Sequence, residues 1–86
     1  MLDDLFKAMA DPTRRSILRI LRKRDLNVSQ LRQRVRVTGP TLSHHLDILK
    51  RADLVVTERR GKFIVYSVNT SVFDDIVQNL YSYFSS

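Results

Sequence analysis

The chain contains no cysteine, two glycines and two prolines among its 86 residues, and these scarcities remove whole classes of chemistry. Without cysteine there is neither a disulfide framework nor a thiolate metal site. No glycine-rich loop is available to cradle phosphates. No apolar run is long enough to span a bilayer, and the N-terminus lacks the pattern of a signal peptide. The expectation is a soluble, cytoplasmic protein with no membrane insertion. Internal repeats, linkers and low-complexity tracts are also missing, so residues 1–86 read as a single domain. A domain this small has limited apolar surface to bury alone and often gains stability from a partner subunit.

Acidic residues are the other shortage. Fifteen Lys and Arg stand against nine Asp and Glu, a net charge of +6 with a pI near 10.3, which points to a polyanionic partner. The distribution says more than the total. All fifteen bases lie between Lys7 and Lys62, with only five acids among them (Asp11, Asp25, Asp47, Asp53 and Glu58). The two ends hold Asp3, Asp4, Asp74 and Asp75 and no base. The middle of the chain is suited to phosphate.

Leu2, Leu5, Phe6 and Met9 repeat at helical spacing and stop at Asp11-Pro12, where Asp11 caps and Pro12 opens a second helix. That helix runs from about Pro12 to Arg24, with Ile17, Leu18 and Leu21 inward and Arg15, Arg19, Arg22 and Lys23 outward. Asn27 followed by Gln30 forms a capping box for a third helix, which carries Leu31 and Val35 inward and ends near Arg36-Val37. A short connection to Thr38 makes the third and fourth helices a helix-turn-helix pair.

The fourth helix has Thr38 as N-cap and Pro40 in its first turn. Leu42, Leu46 and Leu49 follow the i, i+4, i+7 rule and form one buried stripe, opposite Pro40, Ser43, His44, Asp47 and Arg51. Helices that enter a DNA groove touch base edges with their N-terminal residues, because the tip penetrates deepest. Thr41, Ser43 and His44 suit that role: a serine hydroxyl donates or accepts, and a histidine can donate toward N7 or O6 of guanine. The plain alternative is a surface helix with two solvated histidines. The charge distribution and the neighbouring hairpin weigh against it.

That hairpin is read from Leu54-Val55-Val56-Thr57-Glu58, the tip Arg59-Arg60-Gly61-Lys62, and Phe63-Ile64-Val65-Tyr66-Ser67-Val68. Gly61 supplies the positive φ of a two-residue turn. An isolated hairpin is marginal, so one face, Ile64, Tyr66 and Val68, is expected to pack on the helices while Arg59, Arg60 and Lys62 reach solvent. The bland alternative is a charged turn that keeps an exposed edge soluble. The fold class expected is mainly α with a two-stranded β wing, a winged helix-turn-helix. Arg14, Arg15, Lys50, Arg51, Arg59, Arg60 and Lys62 would mostly neutralise phosphate.

From Ser71 the chain is helical again, capped by Thr70 or Asn69, with Phe73, Ile76, Val77, Leu80, Tyr81 and Phe84 on a broad apolar face. Together with Leu2, Leu5, Phe6 and Met9 it is expected to form a twofold dimer interface. The rival reading is that both helices complete the monomer's core. A different class of function is a protein-interaction module, or a DNA-binding protein sequestered by a regulatory protein on this face.

Enzyme chemistry finds no footing. Ser43 and His44 are helical neighbours pointing about 100° apart, so they cannot form a nucleophile and base pair with Asp47 behind them. His44 and His45 fail as paired metal ligands because helical pairs need i, i+4 spacing. RNA binding is disfavoured by the lack of an aromatic-studded sheet.

The strings DPTRRSILRIL, TLSHHLDILK, ADLV and RRGKFIVYSV, in this order, resemble the ArsR/SmtB family of bacterial winged-helix repressors over nearly the whole chain. The resemblance implies a homodimer that binds double-stranded DNA at a palindromic operator and blocks transcription. It matches Ser43 and His44 to base-reading positions and Arg60 and Lys62 to the wing. Many members sense metals through a cysteine pair, where this chain has Leu26-Asn27-Val28-Ser29-Gln30-Leu31. Amide and hydroxyl groups there replace soft thiolates. Another family site uses Asp and His on the last helix, yet no histidine follows His45. The chain is more similar to the metal-site-free, SdpR-like autorepressor branch, which implies no cofactor.

Overall fold

The computed structural model describes residues 2–85 as α1 (Leu2–Met9), α2 (Pro12–Lys23), β1 (Leu26–Asn27), α3 (Val28–Arg32), α4 (Gly39–Arg51), β2 (Val55–Arg60), β3 (Phe63–Val68) and α5 (Thr70–Ser85). Side-chain caps fix the starts of the inner helices. The Asp11 carboxylate accepts the Arg14 backbone N–H at 3.0 Å. Asn27 and Gln30 complete the reciprocal box at 2.9 Å each way. Thr38 Oγ1 accepts the Thr41 N–H at 3.3 Å. Removing the Asn27 or Thr38 cap would cost about 1 kcal/mol, because an orphan donor of the first turn loses its partner.

The stripes of α2 (Ile17, Leu18, Leu21) and α4 (Leu42, Leu46, Leu49) meet Leu5, Ala8, Leu26, Leu31, Val35, Leu54 and Val55 in one core. A Schellman stop ends α4. The Leu54 N–H reaches back to the Leu49 carbonyl and that of Asp53 to Lys50, each at 3.0 Å, while Leu54 and Leu49 bury fully against the core. Asp53 occupies the left-handed position of this motif at φ 59°, where glycine is the usual resident. The stop delivers the chain directly into β2.

Three expectations are corrected. The sheet has three strands in the order β1-β3-β2, not two. β1 pairs antiparallel with β3 through Leu26 opposite Tyr66 and Asn27 opposite Val65, and a strand of two residues carries no alternation to read. The third helix stops at Arg32 rather than near Arg36. Beyond it, exposed Arg34 and Arg36 alternate with buried Val35 and half-buried Val37, a period of two that a helix cannot supply. Val35 still reaches the core because its N–H, like that of Arg34, bonds the Leu31 carbonyl at 3.0 Å.

The third correction concerns the hairpin face. Val55 and Thr57 oppose Val68 and Tyr66, with Arg59 opposite Ile64. Val55 belongs to the core, and Tyr66 and Val68 pack against it, so this is the face toward the helices. Ile64 lies on it by parity but is exposed, because the hairpin outruns the helices before it reaches that position. Gly61, at φ 61°, is the first of two turn residues between the paired Arg60 and Phe63. With positive φ at the first turn residue and not at Lys62, the turn is of type II′, whose twist matches the strands.

At the chain's other end the apolar surface is divided. Leu5, expected at a dimer interface, is buried in the core, and Met9, Phe73 and Ile76 are half-buried against it. Phe6, Val77, Leu80, Tyr81 and Phe84 are exposed, Phe84 at 89%. The side chain of Leu2 lies outside the described residues.

Candidate nucleic-acid interface

Every outward residue expected on the fourth helix is solvent-accessible: Thr38, Pro40, Thr41, Ser43, His44, Asp47, Lys50 and Arg51 are all exposed. Behind them Leu42, His45, Leu46 and Leu49 are buried, so the helix is fixed along its length by one side and free on the other. Lys50 and Arg51 sit in its last turn, where cations also suit the negative end of the helix dipole. Arg32 is an addition that sequence reasoning missed. Its guanidinium carbon lies 3.5 Å from where a Cβ on Gly39 would stand, against the first turn of α4.

The hairpin adjoins this face. The Tyr66 phenol is pushed above its ordinary pKa, first by burial and then by the Asp47 carboxylate. Asp47 on the outer side of α4 and Tyr66 on the helix side of the sheet are therefore electrostatic neighbours. Arg59 extends the same sheet face toward the tip, its Nε donating to the Gly61 carbonyl at 3.2 Å. Lys62 Nζ stands 5.5 Å from the centre of the Phe63 ring. Arg60, expected free in solvent, is on the opposite sheet face, with its Nη2 3.1 Å from Glu58 Oε2 and 3.7 Å from Asp25 Oδ2. Surface pairs of this kind contribute only about 0 to 1 kcal/mol, so a phosphate could displace them.

Arg14 changes role. Its Nε and Nη2 donate to the Ala8 and Lys7 carbonyls at 2.8 Å each, and its Nη1 donates to His45 Nδ1 at 3.1 Å. All three guanidinium nitrogens are thus engaged within the chain, and the expected phosphate contact is corrected to a brace between α1, α2 and α4. Arg15 makes a similar bond, Nη1 to the Met9 carbonyl at 2.7 Å, through one arm only. These arginines bond carbonyls in the last turn of α1, where helix geometry leaves carbonyls without intrahelical partners, and the Lys7 carbonyl also accepts the Ala10 N–H at 3.3 Å.

Arginine has donors only, so the bond from Arg14 makes His45 Nδ1 an acceptor and puts the imidazole proton on Nε2. Asp11 Oδ2 lies 4.0 Å from the same Nδ1. Its carboxyl is held below the usual carboxylate range, foremost by the Arg14 backbone N–H. Burial opposes that shift, and the nearby charge of Arg14 assists it. The sequence carried a signal for this brace: His45 falls on the stripe Leu42, His45, Leu49 at i, i+3, i+7, so its ring had to point inward. It is 8% exposed, and His44 beside it is exposed.

A short α3, a turn, an exposed α4 and an antiparallel hairpin with a basic tip define a winged helix-turn-helix DNA-binding fold. Residues 11–57 match the profile of the bacterial regulatory protein, arsR family, and the chain belongs to that family. It is 41% identical over 76 residues to the transcriptional repressor SdpR of Bacillus subtilis (strain 168), covering 88% of this chain and 84% of that one. To an arsenical resistance operon repressor of Staphylococcus aureus it is 35% identical over 79 residues, covering 92% and 76%. Among solved structures it resembles an ArsR-like transcriptional regulator from Rhodococcus sp. RHA1, with a TM-score of 0.90 and 27% identity over 98% of this chain and 77% of that one. The protein is an ArsR-family DNA-binding transcriptional regulator and not an enzyme. Among the described residues, no helix is long and apolar enough to cross a membrane.

Proposed function

We propose that the protein is a homodimeric, sequence-specific repressor that reads a palindromic operator with α4 and holds the flanking backbone with its wing. The observation that carries this reading is the unbroken exposed polar face of α4, adjoining the helix side of the wing at Asp47 and Tyr66. Ser43 and His44 would read base edges, with Thr38, Pro40 and Thr41 at the helix tip beside them. Lys50, Arg51, Arg59 and Lys62 would neutralise phosphate, joined by Arg60 on release from its carboxylates and by the free arm of Arg15.

The second copy is supported by the apolar surface of α1 and α5. Phe6 on α1 and Val77, Leu80, Tyr81 and Phe84 on α5 are exposed, beside the half-buried Met9 on α1 and Phe73 and Ile76 on α5, and exposed apolar surface of this kind marks association sites. Twofold pairing would set the two α4 helices about 34 to 36 Å apart, one turn of duplex, or a multiple of it. Control through a cysteine-type metal site has no support, since Asn27 and Ser29 replace thiolates and the Asn27 side chain is committed to its cap. Selecting bound duplexes from a random pool tests the whole reading. An enriched inverted repeat is expected, and the absence of any enriched sequence would favour a protein-interaction module, with a regulatory protein on the α5 face.

A further inference from the structure

A groove of about 570 Å³ on the outer side of α2 is lined by Ser16, Arg19, Arg22, Lys23, Arg24 and Arg34. No carboxylate lines it, and none of its five cations belongs to an ion pair among the described residues. Its one internal bond is from Arg19 Nη2 to Ser16 Oγ at 3.2 Å. The dipole of α2 favours cations in its last turn, which explains Arg22 and Lys23. It also favours Arg24 at the C-cap, but it does not explain Arg19 in mid-helix or Arg34, which comes from the turn after α3. Gathering these charges raises the free energy of the unliganded chain by mutual repulsion, and a polyanion would relieve it.

The groove is continuous with the recognition unit. Ser16 and Arg34 also line a second groove of about 230 Å³ with Thr13, Arg36 and Val37, and Val37 immediately precedes Thr38, the N-cap of α4. Among the described residues Ile20 is the one apolar side chain lining the main groove, whereas sites for small organic ligands are mostly apolar and enclosing. From Ser16 to Lys23 the wall runs roughly 10 Å along the helix, at 1.5 Å per residue. Several backbone phosphates fit that length at 3.4 Å of rise per strand.

We infer that this groove is a second duplex-backbone surface, which takes up DNA beyond the base pairs read by α4 and lengthens the protein's footprint. The inference rests on the reading of α4 as a duplex-binding helix. It makes no base contacts, so it adds affinity and salt dependence without adding sequence preference.

The test compares the wild-type protein with the triple variant Arg19→Gln, Lys23→Gln, Arg34→Gln, all at exposed positions, with circular dichroism and melting to verify the fold. Should the triple variant not fold, Arg34→Gln alone, on the turn, takes its place. Binding is measured by fluorescence anisotropy over a salt series, with one duplex ending at the selected half-sites and one extended by about a helical turn, ~10 base pairs, on each side. The wild type is expected to show a steeper salt slope on the long duplex, and the variant to lose about 0.9 of slope for each phosphate contact removed. Equal slopes for the two proteins on the long duplex overturn the inference while leaving the α4 reading intact. So does calorimetric binding of pyrophosphate to the wild type alone with no effect of duplex length, which would assign the groove to a small phosphorylated ligand. If no sequence is enriched by the wild type, the base-reading role of α4 fails, and the slope difference on random duplex still decides the groove.

Discussion

Helices α4 and α5 are both amphipathic, and they end in opposite conditions. α4 buries Leu42, His45, Leu46 and Leu49 and leaves a polar face exposed, whereas α5, longer at sixteen residues, buries none of its side chains fully. The apolar side of α4 is met by α2, the sheet and the brace at His45, while that of α5 touches the core only through Val72, Phe73 and Ile76. Satisfied apolar surface leaves a helix's polar side to define its use. Unsatisfied apolar surface defines a use by itself, as the place for another chain. On the proposed reading, binding to DNA and association with a partner are divided between two helices of the same general pattern.

Truncating equivalent leucines of the two helices should give opposite outcomes. Leu46→Ala should destabilise the fold by about 2 to 5 kcal/mol, since the cavity it leaves is enclosed on every side. Leu80→Ala should leave the monomer's stability nearly unchanged while weakening self-association in sedimentation. Similar urea midpoints for the two variants at low protein concentration would show that α5 is core rather than interface. Next in size is His44→Ala, expected to cost about 1 to 3 kcal/mol of operator binding and to relax sequence preference, with no change in melting. His45→Ala should do the reverse, lowering the melting temperature because Arg14 loses its acceptor.

The wing offers a finer division. Arg59→Gln should weaken binding to all sequences alike and lower the salt slope by about 0.9 if it holds one phosphate. Arg60 starts from its pairs with Glu58 and Asp25. Removing one competitor through Glu58→Gln should therefore tighten DNA binding, and an unchanged affinity would exclude Arg60 from the contact.

Legibility followed the range of the interactions. Periodicity gave α1, α2, α4 and α5 and every exposed residue of the α4 face, because an apolar stripe is written into consecutive turns of one segment. The capping residues Asp11, Asn27 and Thr38 were readable for the same reason. β1 was not, since two residues become a strand only when Leu26 and Asn27 meet Tyr66 and Val65 from far along the chain. The assignment of Arg14 failed similarly: nothing local distinguishes it from Arg15, and its three bonds depend on how α1 folds back over α2 and α4. Arg60 was legible as a cation at the tip, but its pairing with Asp25 required knowing which sheet face it occupies.

The smallest expected effect concerns the brace behind α4 and separates its two polar anchors. Asp11 titrates lower in the folded chain than its reference value of 3.8, chiefly because it accepts the Arg14 N–H. A carboxyl whose pKa is depressed by folding contributes stability that is fully present above the unfolded pKa and is lost as pH falls through the folded one. Wild-type stability should therefore decline as pH drops below about 4, and Asp11→Asn, which keeps a capping oxygen without the charge, should flatten that part of the curve. A melting curve of Asp11→Asn that kept the wild-type dependence below pH 4 would remove the Asp11 carboxylate from the brace and leave the Arg14–His45 bond as the link between α2 and the recognition helix.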